Sequence, residues 1–288
     1  MGLRGDSQAT SNGSASADFG SSEVRKIWRP TTEAGIEVLQ IRNTEKRCGM
    51  FHERFAISLC QSGTGTVRYR GRTAEHDLGS LFFLEPGEVH SSPAAVGPLG
   101  WDVVFVDEPI LLAAADHARI RGRMHWRSIV AHDRDAVRIF SQALSAFRDR
   151  GDPGATQSAL SDLLDVLLRH HAEGGNDAKI SLRDTALVRK LRKRLLDQVQ
   201  EPVSLVALAA DFGISVCHMV RCFSAETGVP PHQYLLQLRI ERARGLLAHG
   251  RPSIEVAHEL GFADQSHFHR HFTKLVGVTP GRYARAAR

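Results

Sequence analysis

Two stretches near the C-terminal end read as copies of one another: FGISVCHMVRCFSAETGVPPHQY at residues 212–234 and LGFADQSHFHRHFTKLVGVTPGRY at residues 260–283. Phe212-Gly213 answers to Leu260-Gly261, Phe223 to Phe272, Gly228-Val229 to Gly277-Val278, Pro231 to Pro280 and Tyr234 to Tyr283. Leu208-Ala209 and Val256-Ala257 extend the match upstream. The offset is 48 residues before the glycine turn and 49 after it, so one extra residue lies in the second turn. A repeat of this length is one supersecondary unit used twice.

Each copy reads as a helix, a tight turn near the glycine, and a second helix docked across the first. Leu205, Leu208, Ala209 and Phe212 fall at i, i+3, i+4 and i+7, one buried stripe behind a Ser204 cap. Met219 and Phe223 are spaced to pack on that stripe. In the second copy Phe268, Phe272 and Leu275 form the inner face, with Ser253 as the expected cap. The outer faces then carry Cys217, Val220 and Arg221 in one unit, and Gln265, Ser266, His269 and Arg270 in the other. These types suit a major groove: Arg bonds guanine bidentately, Gln bonds adenine, and Val meets a thymine methyl. Leu236, Ile240, Ala243 and Leu247 define an intervening helix that sets the separation of the two outer faces. A separation near one duplex turn, about 34 Å, lets both enter successive grooves.

Charge is divided in the same sense. The chain has 37 basic and 32 acidic residues, of which 17 and 9 lie from Lys179 onward, so that part carries +8 and the remainder −3. A basic C-terminal part joined to a mildly acidic one points to a polyanion met by the former alone.

From about Leu182 to Tyr283 the chain resembles the AraC/XylS family of regulators. The resemblance rests on Gly261-Phe262, Gln265-Ser266, Phe268, Arg270, Phe272, Gly277-Val278, Thr279-Pro280 and Tyr283. It implies a transcription regulator that binds double-stranded DNA, with RNA polymerase as a further partner and contacts at Cys217, Val220, Arg221, Gln265, Ser266 and Arg270. Cys217 and Val220 depart from a hydrogen-bonding set, leaving the first unit to Arg221 and DNA shape. His267, His269 and His271 are read as solvated or phosphate-contacting rather than metal ligands.

Upstream, short apolar runs recur between turn signals: Ile36 to Ile41, Phe55 to Leu59, Val67 to Tyr69, Leu81 to Leu84 and Trp101 to Val106. They predict a β-sandwich or small barrel. Gly79, Leu81 to Leu84, Pro86-Gly87 and His90 resemble the strand-and-turn motif of cupin-type sensor domains. A barrel mouth can enclose a small-molecule effector, with His52, Arg54, Tyr69, Glu85, His90 and Trp101 as candidate contacts. The alternative, a metal-dependent cupin enzyme fused to a DNA anchor, lacks a paired H-x-H. Only His52 beside Glu53 stands in that place, and strand neighbours point to opposite faces. No catalytic residue, metal or cofactor is expected.

After Pro109 the period changes. Val137, Phe140, Leu144 and Phe147, then Leu160, Leu163, Leu164 and Leu167, predict two amphipathic helices around Gly151, Pro153 and Gly154. Their leftover apolar face would suit a second copy in a homodimer; packing on the β-domain is the other outcome. The expected organisation is a disordered tail over 1–22, a cupin-like sensor over 23–108, a helical packing or dimerisation segment over 109–172, a linker over 173–181 and a DNA-binding domain over 182–288. The fold class is α+β multidomain. With no long apolar run and no secretory signal pattern, the expected location is cytoplasmic. Cys48, Cys60, Cys217 and Cys222 form no C-x-x-C pair, so free thiols are expected.

Overall fold

A computed structural model describes residues 23–30, 35–45, 50–69, 72–148, 152–175 and 186–286. The tail over 1–22, Cys48 and residues 176–185 lie outside these.

The N-terminal part contains β1 (Val24–Trp28), β2 (Ile36–Thr44), β3 (Phe55–Tyr69), β4 (Arg72–His76), β5 (Leu81–Leu84), β6 (His90–Val106), α1 (Glu108–His117), β7 (Arg123–Trp126), β8 (Val130–Ala131), α2 (Arg134–Arg148), α3 (Pro153–His171) and β9 (Ala172–Gly175). The principal sheet is antiparallel in the order β1-β2-β6-β3-β5-β8, with β4 paired to β3. The runs at Phe55 to Leu59 and Val67 to Tyr69, expected as separate strands, are one strand. Register shifts between Cys60 and Arg68 absorb the intervening glycines, and Gly63 takes φ +80° there.

The sheet is buried on both faces, which explains its near-continuous apolar runs. Ile36, Val38, Phe55, Ile57, Leu81, Phe83, Val104 and Val106 point to one side and join the apolar stripes of α2 and α3. Leu39, Ile41, Ala56, Leu84, Val103 and Phe105 point to the other. The alternation along each strand follows from the two-residue period.

Three expectations change here. Among the described residues α2 and α3 expose no large apolar side chain, because Phe140, Leu144, Phe147, Leu160, Leu163 and Leu167 are spent on the hairpin and the sheet. Val137 and Ile139 of α2 and Val166 of α3 remain half-buried beside that packing. The 109–172 segment is not wholly helical: Met124, His125 and Trp126 are consecutive buried residues, a burial no helical stripe provides, and they form β7. Glu173 to Gly175, expected in the linker, instead pair with β7 as β9. A side chain at Gly174 would collide with the Arg121 carbonyl, so the glycine permits the pairing.

The C-terminal part is all helical: α4 (Ala186–Asp197), α5 (Leu205–Asp211), α6 (Val216–Thr227), α7 (Pro231–Ala248), α8 (Ser253–Glu259), α9 (Gln265–Val276) and α10 (Pro280–Ala286). Ser204 caps α5, accepting from the Ala207 N–H at 3.3 Å. Ser215 and Asp264 cap α6 and α9 in the same way, at 3.2 and 2.7 Å. The repeated Gly228 and Gly277 end α6 and α9 in the left-handed region, at φ +80° and +87°. Ser253 is not a cap; Pro252 holds that position without a side-chain bond, because Ser253 is already inside α8.

Each unit has its own core, and each accepts a side chain from the sheet domain. Met219, Phe223, Leu208 and Val188 pack with Phe51, which stacks on Tyr234 at 4.6 Å. Phe268, Phe272, Leu260 and Tyr283 pack with Ile27.

Candidate functional site

The second helix of each unit buries one stripe and exposes the other. On α6, Met219 and Phe223 are buried while Cys217 and Arg221 are exposed and Val220 is half-buried. On α9, Phe268 and Phe272 are buried, Gln265, Ser266 and Arg270 are exposed, and His269 is half-buried. The outer-face residues read from the sequence therefore lie together on two solvent-facing surfaces. Gln265 Nε2 donates to Ser253 Oγ at 2.8 Å, and His269 Nε2 lies 3.3 Å from the same oxygen. In the first unit Arg221 reaches His218 Nδ1 at 3.2 Å.

Between the units runs α7, about 27 Å long at 1.5 Å per residue. Its apolar residues fill both cores, while Gln237, Ile240, Glu241 and Arg244 face the sheet and close a cavity against it. The cavity is about 130 Å³. Its walls include Ile41, Phe82, Trp101, Val103 and Phe105 from the strands, and Leu275 and Val276 from the end of α9.

Of the six candidate effector contacts, His52, His90 and Trp101 line this cavity. The rings of His52 and His90 lie 5.3 Å apart. The other three are occupied elsewhere. Arg54 bonds Glu37 at 3.1 Å and covers Phe105. The Tyr69 hydroxyl accepts from the Glu85 N–H at 3.4 Å. Glu85 is buried against His125 and the Trp126 N–H, which ties β5 to β7.

The cavity's polar end is a buried ion network that crosses from sheet to α7 and α10. Glu37, wholly buried on β2, accepts from Arg244, from Arg54 and from the Tyr283 hydroxyl, with Arg29 at 3.4 Å. Arg244 also bonds Glu241 at 2.7 Å and lies over Phe105. Burial opposes ionisation of Glu37, but Arg244, Arg54, the Tyr283 hydroxyl and Arg29 outweigh it and hold the carboxyl well below the usual range. Glu241, largely but not wholly buried, is pulled down to about 2 by Arg244 and His52. Burial lowers His52, and burial with the neighbouring His52 lowers His90 to about 3, so both rings are neutral at pH 7.

Sequence reasoning missed Glu37, Gln237, Glu241 and Arg244. A signal existed: Glu37 interrupts the apolar run of β2, and Arg244 falls four residues after Ile240 on the stripe assigned to the core of α7.

Among the described residues one other cluster could hold a metal. Asp133, His170 and His171 bring one ligand atom each within 4.8 Å where the start of α2 meets the end of α3. Asp133 already has partners, bonding the Ala136 N–H and both rings.

A model of the helix-turn-helix domain matches residues 208–286, and one of the AraC-like ligand binding domain matches residues 38–164. The chain belongs to the AraC family of transcription regulators. It is a DNA-binding AraC-type regulator with a β-rich ligand-binding domain and a helical double-unit domain. It is 27% identical over 241 residues to the HTH-type transcriptional activator RhaR of Salmonella schwarzengrund, covering 81% of this chain and 85% of that one. RhaR of Salmonella arizonae matches to the same extent. Apo ToxT from Vibrio cholerae has the same two-domain fold, with a TM-score of 0.50 and 10% identity over 93% of this chain and 98% of that chain. Among the described residues no single helix of this AraC-family chain is long and apolar enough to cross a membrane.

Proposed function

We propose that this regulator reads its operator with Cys217, Val220, Arg221, Gln265, Ser266, His269 and Arg270, and that a small molecule in the interdomain cavity modulates that reading. One observation carries the proposal: the cavity has the sensor strands as one wall and α7, the helix that joins the two reading units, as the other. A ligand there touches both domains at once. It changes DNA affinity only so far as it binds one interdomain arrangement better than another.

The same reading makes the chain a cytoplasmic homodimer and an activator that contacts RNA polymerase, on the grounds of family. A sensor unit within 23–175, taking in β9, and a DNA-binding unit within 182–288 belong to this reading, with no catalytic step in either.

The test is fluorescence anisotropy on operator fragments recovered by genome-wide pull-down. The full chain is expected to prefer those fragments to random duplex, with affinity falling steeply as salt rises. Equal affinity for both would remove the specific-reader assignment. A cavity ligand that stabilises the chain without altering operator binding or promoter output would remove the regulatory one.

A further inference from the structure

The cavity's own atoms state what kind of molecule fits it. An apolar cavity of about 150 Å³ takes one benzene, so 130 Å³ holds a molecule of about six or seven non-hydrogen atoms. Its walls are mainly apolar and partly aromatic. Phe82 and Trp101 meet edge to face at 4.8 Å, and Phe105 and Phe51 also line the cavity. Flat rings pack well on such walls.

Charge is the second constraint. Arg25, Glu241 and Arg244 are the charged residues lining the cavity, and each is already paired: Arg25 with Glu23, Arg244 with Glu37 and Glu241. An anion would meet Glu241, and a cation would meet Arg25 and Arg244, with no free counter-charge for either. Burying an uncompensated charge costs several kcal/mol.

Hydrogen bonding is the third. Two cavity-lining residues carry buried polar atoms without a hydrogen-bond partner, Nδ1 of His90 and Nε of Arg244, while Nδ1 of His52 lies 3.7 Å from Glu241 Oε1. His90 is neutral in the folded chain, so one ring nitrogen carries a proton and the other a lone pair. In the Nε2–H tautomer the unpartnered Nδ1 presents that lone pair. The lone pair asks for a donor, and the Arg244 N–H asks for an acceptor. A hydroxyl group is both; a carboxylate is only the second.

Building on the effector reading above, we propose that the cavity takes an uncharged aromatic molecule of about seven non-hydrogen atoms, a single ring bearing a hydroxyl group that donates to His90. Polyhydroxylated sugars fail on the apolar walls, and aromatic carboxylates fail on charge.

The experiment uses the full chain at neutral pH, with binding followed by calorimetry and thermal unfolding. Four probes are compared: phenol, toluene, benzoate and L-rhamnose. The phenol is expected to raise the melting temperature and to bind about tenfold more tightly than the toluene, the difference of one hydrogen bond. It should exceed the benzoate and the sugar by at least as much. His90→Phe should erase the preference of phenol over toluene, and Ile240→Trp should fill the cavity and abolish binding of both. If benzoate or rhamnose binds best and Ile240→Trp blocks it, the cavity remains the effector site and the ligand class is wrong. Binding of the phenol that survives Ile240→Trp places it elsewhere and overturns the proposal. If none of the four probes binds, both the class and the effector reading fall. A phenol preference that persists in His90→Phe overturns the role given to His90.

Discussion

The two helix-turn-helix units share one backbone plan and are tied to the sheet domain by different physics. The first is held by an apolar insertion, Phe51 stacked on Tyr234 with Val89 beside it. Two neutral-acceptor bonds support it: the Phe51 N–H to Gln237 at 3.0 Å, and Arg192 to the Gly87 carbonyl. The second is held chiefly by charge. Glu37 binds Arg244 of α7 and Tyr283 of α10, and Arg25 donates to the Val276 carbonyl at the end of α9. The glycine that ends α9 also admits Arg25, since a side chain at Gly277 would collide with it. An apolar contact is indifferent to salt and pH, whereas a buried ion network is stable only while complete. The second unit is therefore the one whose docking can be switched by removing or adding a single charge.

Glu37→Gln should be the most damaging change, costing about 3–5 kcal/mol, because it leaves buried guanidinium groups short of a counter-charge. Hydrogen exchange should then rise in α10 and at the end of α9 while α5 and α6 stay protected. Uniform loss of protection in both units would erase the distinction drawn above. Phe51→Ala tests the other tie and should cost about 3 kcal/mol, with the loss of protection confined to α4, α6 and the start of α7.

The outer faces differ as well. Arg270→Ala and Arg221→Ala should each weaken specific operator binding by about 1–3 kcal/mol with little change in unfolding. The first unit has only Arg221 among strong hydrogen-bonding groups, so its variant should lose sequence preference across a whole half-site. Arg270→Ala should relax fewer positions, since Gln265 remains. Equal affinity of either variant and the parent chain, measured by anisotropy at fixed salt, would take that helix out of the reading role.

Acid should separate the two ties. Glu37 and Glu241 hold their protons less tightly folded than unfolded, so their contribution is complete above the ordinary carboxylate range. It declines only as pH falls below about 4.5 toward the folded value of about 2 for Glu241. His52 and His90 are lowered too, so the unfolded chain takes up protons first, from about pH 6.5 downward. The melting temperature should accordingly decrease between pH 7.5 and 5 with both units still docked. A melting temperature that rises over that interval would contradict the neutral assignment of these rings. The smallest effect belongs to Ser253→Ala. It frees Gln265 and His269 from their shared oxygen and should change operator affinity by about 0.5 kcal/mol, with no counterpart in the first unit.

The double unit was legible from residues 208–283 because its information is local. Helical spacing sets the inner stripes, the capping residues Ser204, Ser215 and Asp264 start helices, and Gly228 and Gly277 stop them. The strands were legible as apolar runs, but not their joining, since a register shift around Gly63 depends on the partner strand. Half of the cavity candidates, His52, His90 and Trp101, could be picked from motif and residue type. Arg54, Tyr69 and Glu85 have the same chemistry and serve as internal struts, a difference set by the partners that lie against them: Glu37 for Arg54, the Glu85 N–H for Tyr69, and His125 with the Trp126 N–H for Glu85. Glu37 and Arg244 stand 207 residues apart, each looking like an error in an apolar pattern. Only packing α7 against β2 turns the two exceptions into one ion pair. A charge can be buried at an acceptable cost only beside its partner, and no local rule of sequence can name a partner that distant.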